Sequence, residues 1–188
     1  MKEEEEKTEA ILSLGSNQGD RSAWLAFAVR VLSAHPHTEV TAVSPVYKTE
    51  PVDVLPEFSK AQYFNEIVAC ETDLSVQEFS DFIHRIEHEA GRVRGDTPNS
   101  PRTLDIDIIT FGNVRMETEE LTLPHPRALS RRFVLQPLAD IKPSFHFPDD
   151  PLTVSEHLAK LSDQPSSVVL VDDRLLKTKV STKWNYPF

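Results

Sequence analysis

Apolar and polar positions along this chain fall into two rhythms, a period of two and a period near 3.6, and their succession outlines a mixed fold. Residues 10–14 (Ala-Ile-Leu-Ser-Leu) predict a first strand, cut by the glycine-containing polar stretch 15–20. Leu25, Ala28, Val29 and Leu32 then recur at helical spacing, with Asp20 or Ser22 as the cap. Residues 39–47 read as a strand through Val40, Ala42, Val43 and Val46, and Pro45 implies an edge or a break. The proline-stiffened stretch 49–56 predicts a loop. Residues 63–70 alternate, with Tyr63, Asn65 and Ile67 on one face and Phe64, Glu66 and Val68 on the other.

The strongest helical pattern spans 74–90. Ser75 and Glu78 form a capping box, Phe79, Phe82, Ile83 and Ile86 supply a buried stripe, and Gly91 ends it. Between 92 and 102, prolines, Gly95 and polar residues predict a mobile loop with little to bury. A strand follows at 104–109. Gly112 and Asn113 predict a hairpin turn into 114–116, and 121–123 a further short strand. After the stiff turn 124–127 comes a helix over 128–138 packed by Phe133, Val134 and Leu138. A short helix near 154–161 and a late strand at 168–171 complete the elements. No internal repeat or second domain is evident: residues 1–9 read as a charged tail and 10–188 as one domain.

Composition narrows the function. A formal charge of −10 argues against a nucleic-acid or anionic-membrane surface in general. Arg92, Arg94 and Arg102 nevertheless cluster, as do Arg127, Arg131 and Arg132, so a local anion site fits within an acidic whole. A lone cysteine, Cys70, suits a reducing compartment, and no leader or membrane-length apolar run is found; a cytoplasmic protein is expected.

Two acids interrupt the apolar strand at 104–109, and that placement needs a chemical reason. On an extended backbone Asp105 and Asp107 share a face, roughly 6.6 Å apart at Cα, while Leu104, Ile106 and Ile108 anchor the other. Such a pair seats one or two hard divalent cations, which prefer oxygen ligands, or else makes the wet face of an edge strand. The loop at 15–20 lies where phosphates often sit, yet it carries neither the Walker lysine pattern nor G-x-G-x-x-G. His84 and His88, one turn apart, lack the H-E-x-x-H context and read as solvated.

The stretch 100–109, Ser-Pro-Arg-Thr-Leu-Asp-Ile-Asp-Ile-Ile, resembles the signature of the 6-hydroxymethyl-7,8-dihydropterin pyrophosphokinases of the folate pathway. Gly15-Ser16-Asn17, Tyr47-Lys48-Thr49, Tyr63-Phe64-Asn65, Arg85-Ile86-Glu87, Gly91-Arg92-Val93-Arg94 and Leu123-Pro124-His125-Pro126-Arg127 follow in the family's order, so the resemblance covers about 10–147 and leaves 148–188 as an extension. It implies an α+β fold, a ferredoxin-like α/β/α sandwich with a mostly antiparallel sheet. It also implies diphosphate transfer from ATP to a pterin alcohol by a monomer acting on small molecules alone. By the same resemblance Asp105 and Asp107 bind two Mg²⁺ ions and act in catalysis with Arg92 and Arg102, while Arg94, His125, Arg131 and Glu87 meet ATP. Tyr63 and Phe133 sandwich the pterin, and Asn65, Thr49, Val52, Gly15 and Asn17 complete its site. Asn99 stands where some members carry Trp, and Glu50 where many carry Pro. Two other readings compete: a two-metal nucleotidyltransferase, in which a Gly-Ser pair lies close before the acids, and a catalytically silent pterin- or nucleotide-binding module.

Overall fold

The computed structural model describes residues 7–50, 62–91, 102–161 and 168–171. The elements run β1 (Thr8–Ser16), α1 (Arg21–Ala34), β2 (Thr38–Val43), β3 (Tyr47–Thr49), β4 (Tyr63–Thr72), α2 (Val76–Glu89), β5 (Asp105–Phe111), β6 (Met116–Glu117), β7 (Thr122–Leu123), α3 (Arg132–Ile141), α4 (Val154–Lys160) and β8 (Val169–Leu170). The main sheet has the order β5-β1-β4-β3-β8, with β2 also on β4. All its pairings are antiparallel. β1 and β4 lie inside the sheet and are buried on both faces, which is why their sequences carry so few exposed polar positions.

Helices cover both faces. Leu12, Leu14, Val68, Cys70, Ile106 and Ile108 pack beneath α1 and α2. Ile11, Ile67, Ala69 and Ile109 point the other way, beneath α3 and α4. This is the expected sandwich. Local chemistry explains where the helices begin. The Asp20 carboxylate accepts from the Ala23 N–H to start α1, and Ser75 with Glu78 closes a reciprocal capping box at α2. Gly91 ends α2 at φ 77°, where a side chain would be strained. Pro45 separates β2 from β3, as its missing N–H requires.

Three expectations need correction. Gly112 does turn the chain, but β6 pairs with β7 in a separate two-stranded sheet rather than with β5. Its reversal lies at 118–121, where the Thr118 N–H and the Leu121 carbonyl are bonded. The helix expected over 128–138 is two pieces, a 3₁₀ turn Ala128–Ser130 and then α3, because Arg131 between them is extended at φ −113°, ψ 109°. The charged tail is shorter than expected, since Thr8 and Glu9 already pair with Thr72 and Glu71. The expected loops at 51–56 and 92–101 lie outside the described residues.

Candidate active site

The sheet's register builds the floor of a cleft. Tyr47 pairs with Asn65, Asn65 with Gly15, and Gly15 with Asp105, so four strands contribute one continuous cross-strand row. A second row holds Ile67, Ser13 and Asp107. Because paired residues share a face, Asn65 and both aspartates look to the α3 side, and strand spacing puts Asn65 roughly 9–10 Å from Asp105. Small residues keep the floor open. A Cβ on Gly15 would meet the Asn65 Oδ1 at 3.3 Å, tight enough to push that amide aside. The resulting cleft is lined by Ser13, Gly15, Thr49, Glu50, Tyr63, Asn65, Arg102, Asp105, Asp107, Arg131 and Phe133.

One end is flat-walled and amphipathic. Asn65 Nδ2 donates to Thr49 Oγ1 at 2.6 Å, which fixes the amide's orientation across the β3–β4 pair and turns Oδ1 toward Gly15. Tyr63 begins β4, its phenol pushed up mainly by burial. Phe133 stands on the first turn of α3, with the Arg131 guanidinium 5.3 Å from its ring centroid. Two aromatic side chains beside a fixed amide suit a flat heterocycle with a polar edge.

The other end is charged. Arg102 is clamped by its backbone, its N–H donating to Asn17 Oδ1 at 2.7 Å and its carbonyl accepting from the Asn17 N–H at 3.2 Å. Its side chain meets Asp105 Oδ2 at 2.5 Å. The aspartate side chains stay 25% and 42% exposed, so both remain open to a ligand from the cleft. Beyond the cis Leu123–Pro124 bond, the His125 N–H is tied to the Ile109 carbonyl, and Nε2 stands 3.9 Å from Asp107 Oδ2. Burial, with Arg131 and Arg127 nearby, depresses the imidazole to about 4. The ring is therefore neutral at pH 7. Since Nδ1 accepts from the Arg127 N–H, the proton is assigned to Nε2, facing the acids.

The expected residues thus divide. Gly15, Thr49, Tyr63, Asn65, Arg102, Asp105, Asp107, Arg131 and Phe133 line one cleft, with Asn17 and His125 directly behind it. Arg92, Arg94 and Val52 lie outside the described residues. Glu87, expected at the nucleotide, is 3% exposed on α2, and its carboxylate accepts from the Ile106 N–H at 2.8 Å. Among the described residues β5 is the edge of the sheet, and Glu87 satisfies an amide there. Ser13 was missed. Small residues at alternate positions 13 and 15 of an otherwise apolar strand were the available signal. Among the described residues, the side-chain atoms Ser16 Oγ, Asn17 Nδ2 and Thr103 Oγ1 are buried without a hydrogen-bond partner. No helix among the described residues is long and apolar enough to cross a membrane.

Comparison with known proteins agrees with this geometry. The family model described as 7,8-dihydro-6-hydroxymethylpterin-pyrophosphokinase matches residues 11–143. The 2-amino-4-hydroxy-6-hydroxymethyldihydropteridine pyrophosphokinase of Bacillus subtilis is 43% identical over 132 residues, 70% of this chain and 77% of that protein. Its counterpart in Methylorubrum extorquens is 38% identical over 165 residues, 88% of this chain and 99% of that one. Among solved structures, Plasmodium falciparum HPPK-DHPS chains match with TM-scores of 0.61 and 0.62 at 16% and 14% identity, which speaks for the fold alone. They cover 84% and 85% of this chain, which in turn spans 42% and 44% of those longer chains.

Proposed function

The chain belongs to the 7,8-dihydro-6-hydroxymethylpterin-pyrophosphokinase family, and from that premise we propose how its cleft transfers diphosphate from ATP to 6-hydroxymethyl-7,8-dihydropterin, a step of folate biosynthesis. The observation that carries the reading is the meeting, in one cleft, of the Asp105–Asp107 pair with the Tyr63, Asn65 and Phe133 end. The pterin ring lies between Tyr63 and Phe133, its polar edge on Asn65 and Thr49. That leaves the hydroxymethyl group pointing along the floor past Gly15 toward the acids.

Asp105 and Asp107 fit a hard cation, since they offer carboxylate oxygens on one face and Asp105 already holds the cationic Arg102. Mg²⁺ commonly takes only one or two carboxylates and completes its shell with phosphates and water, so two acids suffice. We assign two ions to them. Held there by the two carboxylates, Mg²⁺ would supply positive charge against the phosphate oxygens, and the β-phosphorus is the atom attacked. The substrate hydroxyl oxygen forms a bond to that phosphorus while the bond to the α–β bridging oxygen breaks and AMP leaves. The hydroxyl proton passes to water, because positioning and charge neutralisation make a strong base unnecessary. Arg102 and Arg131 face the phosphates from the cleft wall, and the His125 Nε2–H donates without adding charge. Arg92 and Arg94 act with them on the nucleotide in this reading.

The same cleft is assembled from one chain, which supports a monomer. The buried thiol of Cys70 suits a reducing cytoplasm. We read residues 8–188 as one catalytic unit, with α4 beyond the family match packed against α3. The test is to incubate the protein with ATP, Mg²⁺ and the pterin alcohol and identify both products. AMP and a pterin diphosphate in equal amounts are expected; ADP with a monophosphate would overturn the assignment.

A further inference from the structure

Tyr47 is outside the cleft lining yet sits in its central row, paired with Asn65 on β4. It is 8% exposed, and its hydroxyl donates to Asp140 Oδ2 at 2.5 Å, across 93 positions of sequence. Burial and the neighbouring carboxylate push the phenol up to about 12, so it stays a donor throughout the neutral range. Asp140 stands seven residues after Phe133, two helical turns and roughly 10.5 Å along α3, on the same helix face. Pro137 lies between them and has no N–H to give the Phe133 carbonyl, so the first turn is held less by the helix's own bonds than by what it packs against.

We propose that Tyr47 and Asp140 are positioning residues for the pterin slot: their hydrogen bond fixes α3 against β3 and thereby sets the gap between the rings of Phe133 and Tyr63. This rests on the reading above that the pterin lies between those rings. The bond is not what makes α3 fold, because Val134, Leu135 and Leu138 bury the helix on Ile11, Ile67 and Ile109 independently. It acts on a quantity that contact energy feels steeply. Opening a stacked contact by roughly 0.5–1 Å forfeits about a quarter to a half of its attraction.

The experiment measures pterin affinity by titration calorimetry with a non-hydrolysable ATP analogue bound, alongside the analogue's own affinity and the thermal midpoint. Tyr47→Phe removes one oxygen and keeps the ring, and Asp140→Ala removes the acceptor from an exposed position. Each should weaken pterin about five- to twentyfold while analogue affinity stays within about twofold. The double variant should be no worse than either single one, as one shared interaction requires. Asp140→Asn keeps an accepting oxygen and should recover most of the loss. Unchanged pterin affinity, additive losses, or equal weakening of both ligands with a fallen thermal midpoint would overturn the proposal. If the wild type binds no pterin, the reading of the cleft falls first; if it binds and the variants match it, only the positioning role falls.

Discussion

On the sheet face beneath α1 and α2, β1 and β5 present Leu12, Leu14, Ile106 and Ile108 to a continuous apolar layer, whereas on the opposite face the same strands present Ser13, Gly15, Asp105 and Asp107. Only part of that second face is covered by α3, over Ile11, Ile67, Ala69 and Ile109. The division is made one residue at a time along each strand. Ser13, Gly15, Asp105 and Asp107 are therefore each flanked by two residues buried on the other side, so the closed face fixes the backbone on which the open face displays its chemistry. Glu66 breaks the pattern: it faces the closed side between Phe64 and Val68, 7% exposed, and burial pushes its carboxyl up to about 8.

The sharpest way to test that division is to cut neighbouring positions on opposite faces. Asp107→Ala should lower turnover on the order of 10³-fold, because the proposed metal seat loses a ligand. Its urea midpoint should hold or rise, since a like-charge neighbour is removed. Ile108→Ala, one position on, should instead cost about 2–5 kcal/mol of stability, with turnover per folded molecule retained. Loss of fold in the first, or of chemistry in the second, would show that the faces are not separable.

A smaller effect attaches to Glu66. Its folded pKa lies above its ordinary value near 4.5, so the folded protein holds the proton while the unfolded chain releases it. Stability is thus intact below about pH 4.5 and lost progressively as pH rises toward 8, by an upper bound of about 3–5 kcal/mol. Glu66→Gln, which cannot ionise, should flatten that decline in chemical denaturation followed from pH 5 to 8.5. An unaltered slope would remove Glu66 as the exception. The least effect is expected from Asn65→Ala, which leaves polar edge atoms of the pterin unpaired at a cost of about 1–3 kcal/mol. Calorimetry should find the loss in pterin binding and leave the ATP analogue almost unaffected.

Much of this was legible from local pattern. Alternation at 104–109 placed the acids on one face, and the capping box at Ser75 set the start of α2, because both depend only on residues a few positions apart. The family likeness then named the partners of the acids. Legibility failed where an amide's partner is distant. Nothing near Gly112 says that β6 will pair with β7 rather than β5. The extended backbone at Arg131, which splits the expected helix, has no proline or glycine to announce it.

By itself, then, the sequence determined most of the elements, the acidic pair and the likeness to a pyrophosphokinase that implied the sandwich, since periodicity and motif are properties of short stretches. Tertiary structure alone decided that Tyr47, Asn65, Gly15 and Asp105 form one row, that Glu87 serves a strand amide, and that Tyr47 reaches Asp140. Register across four strands and the seating of a helix on a sheet are fixed by the simultaneous burial of side chains far apart in the chain, which no local window contains.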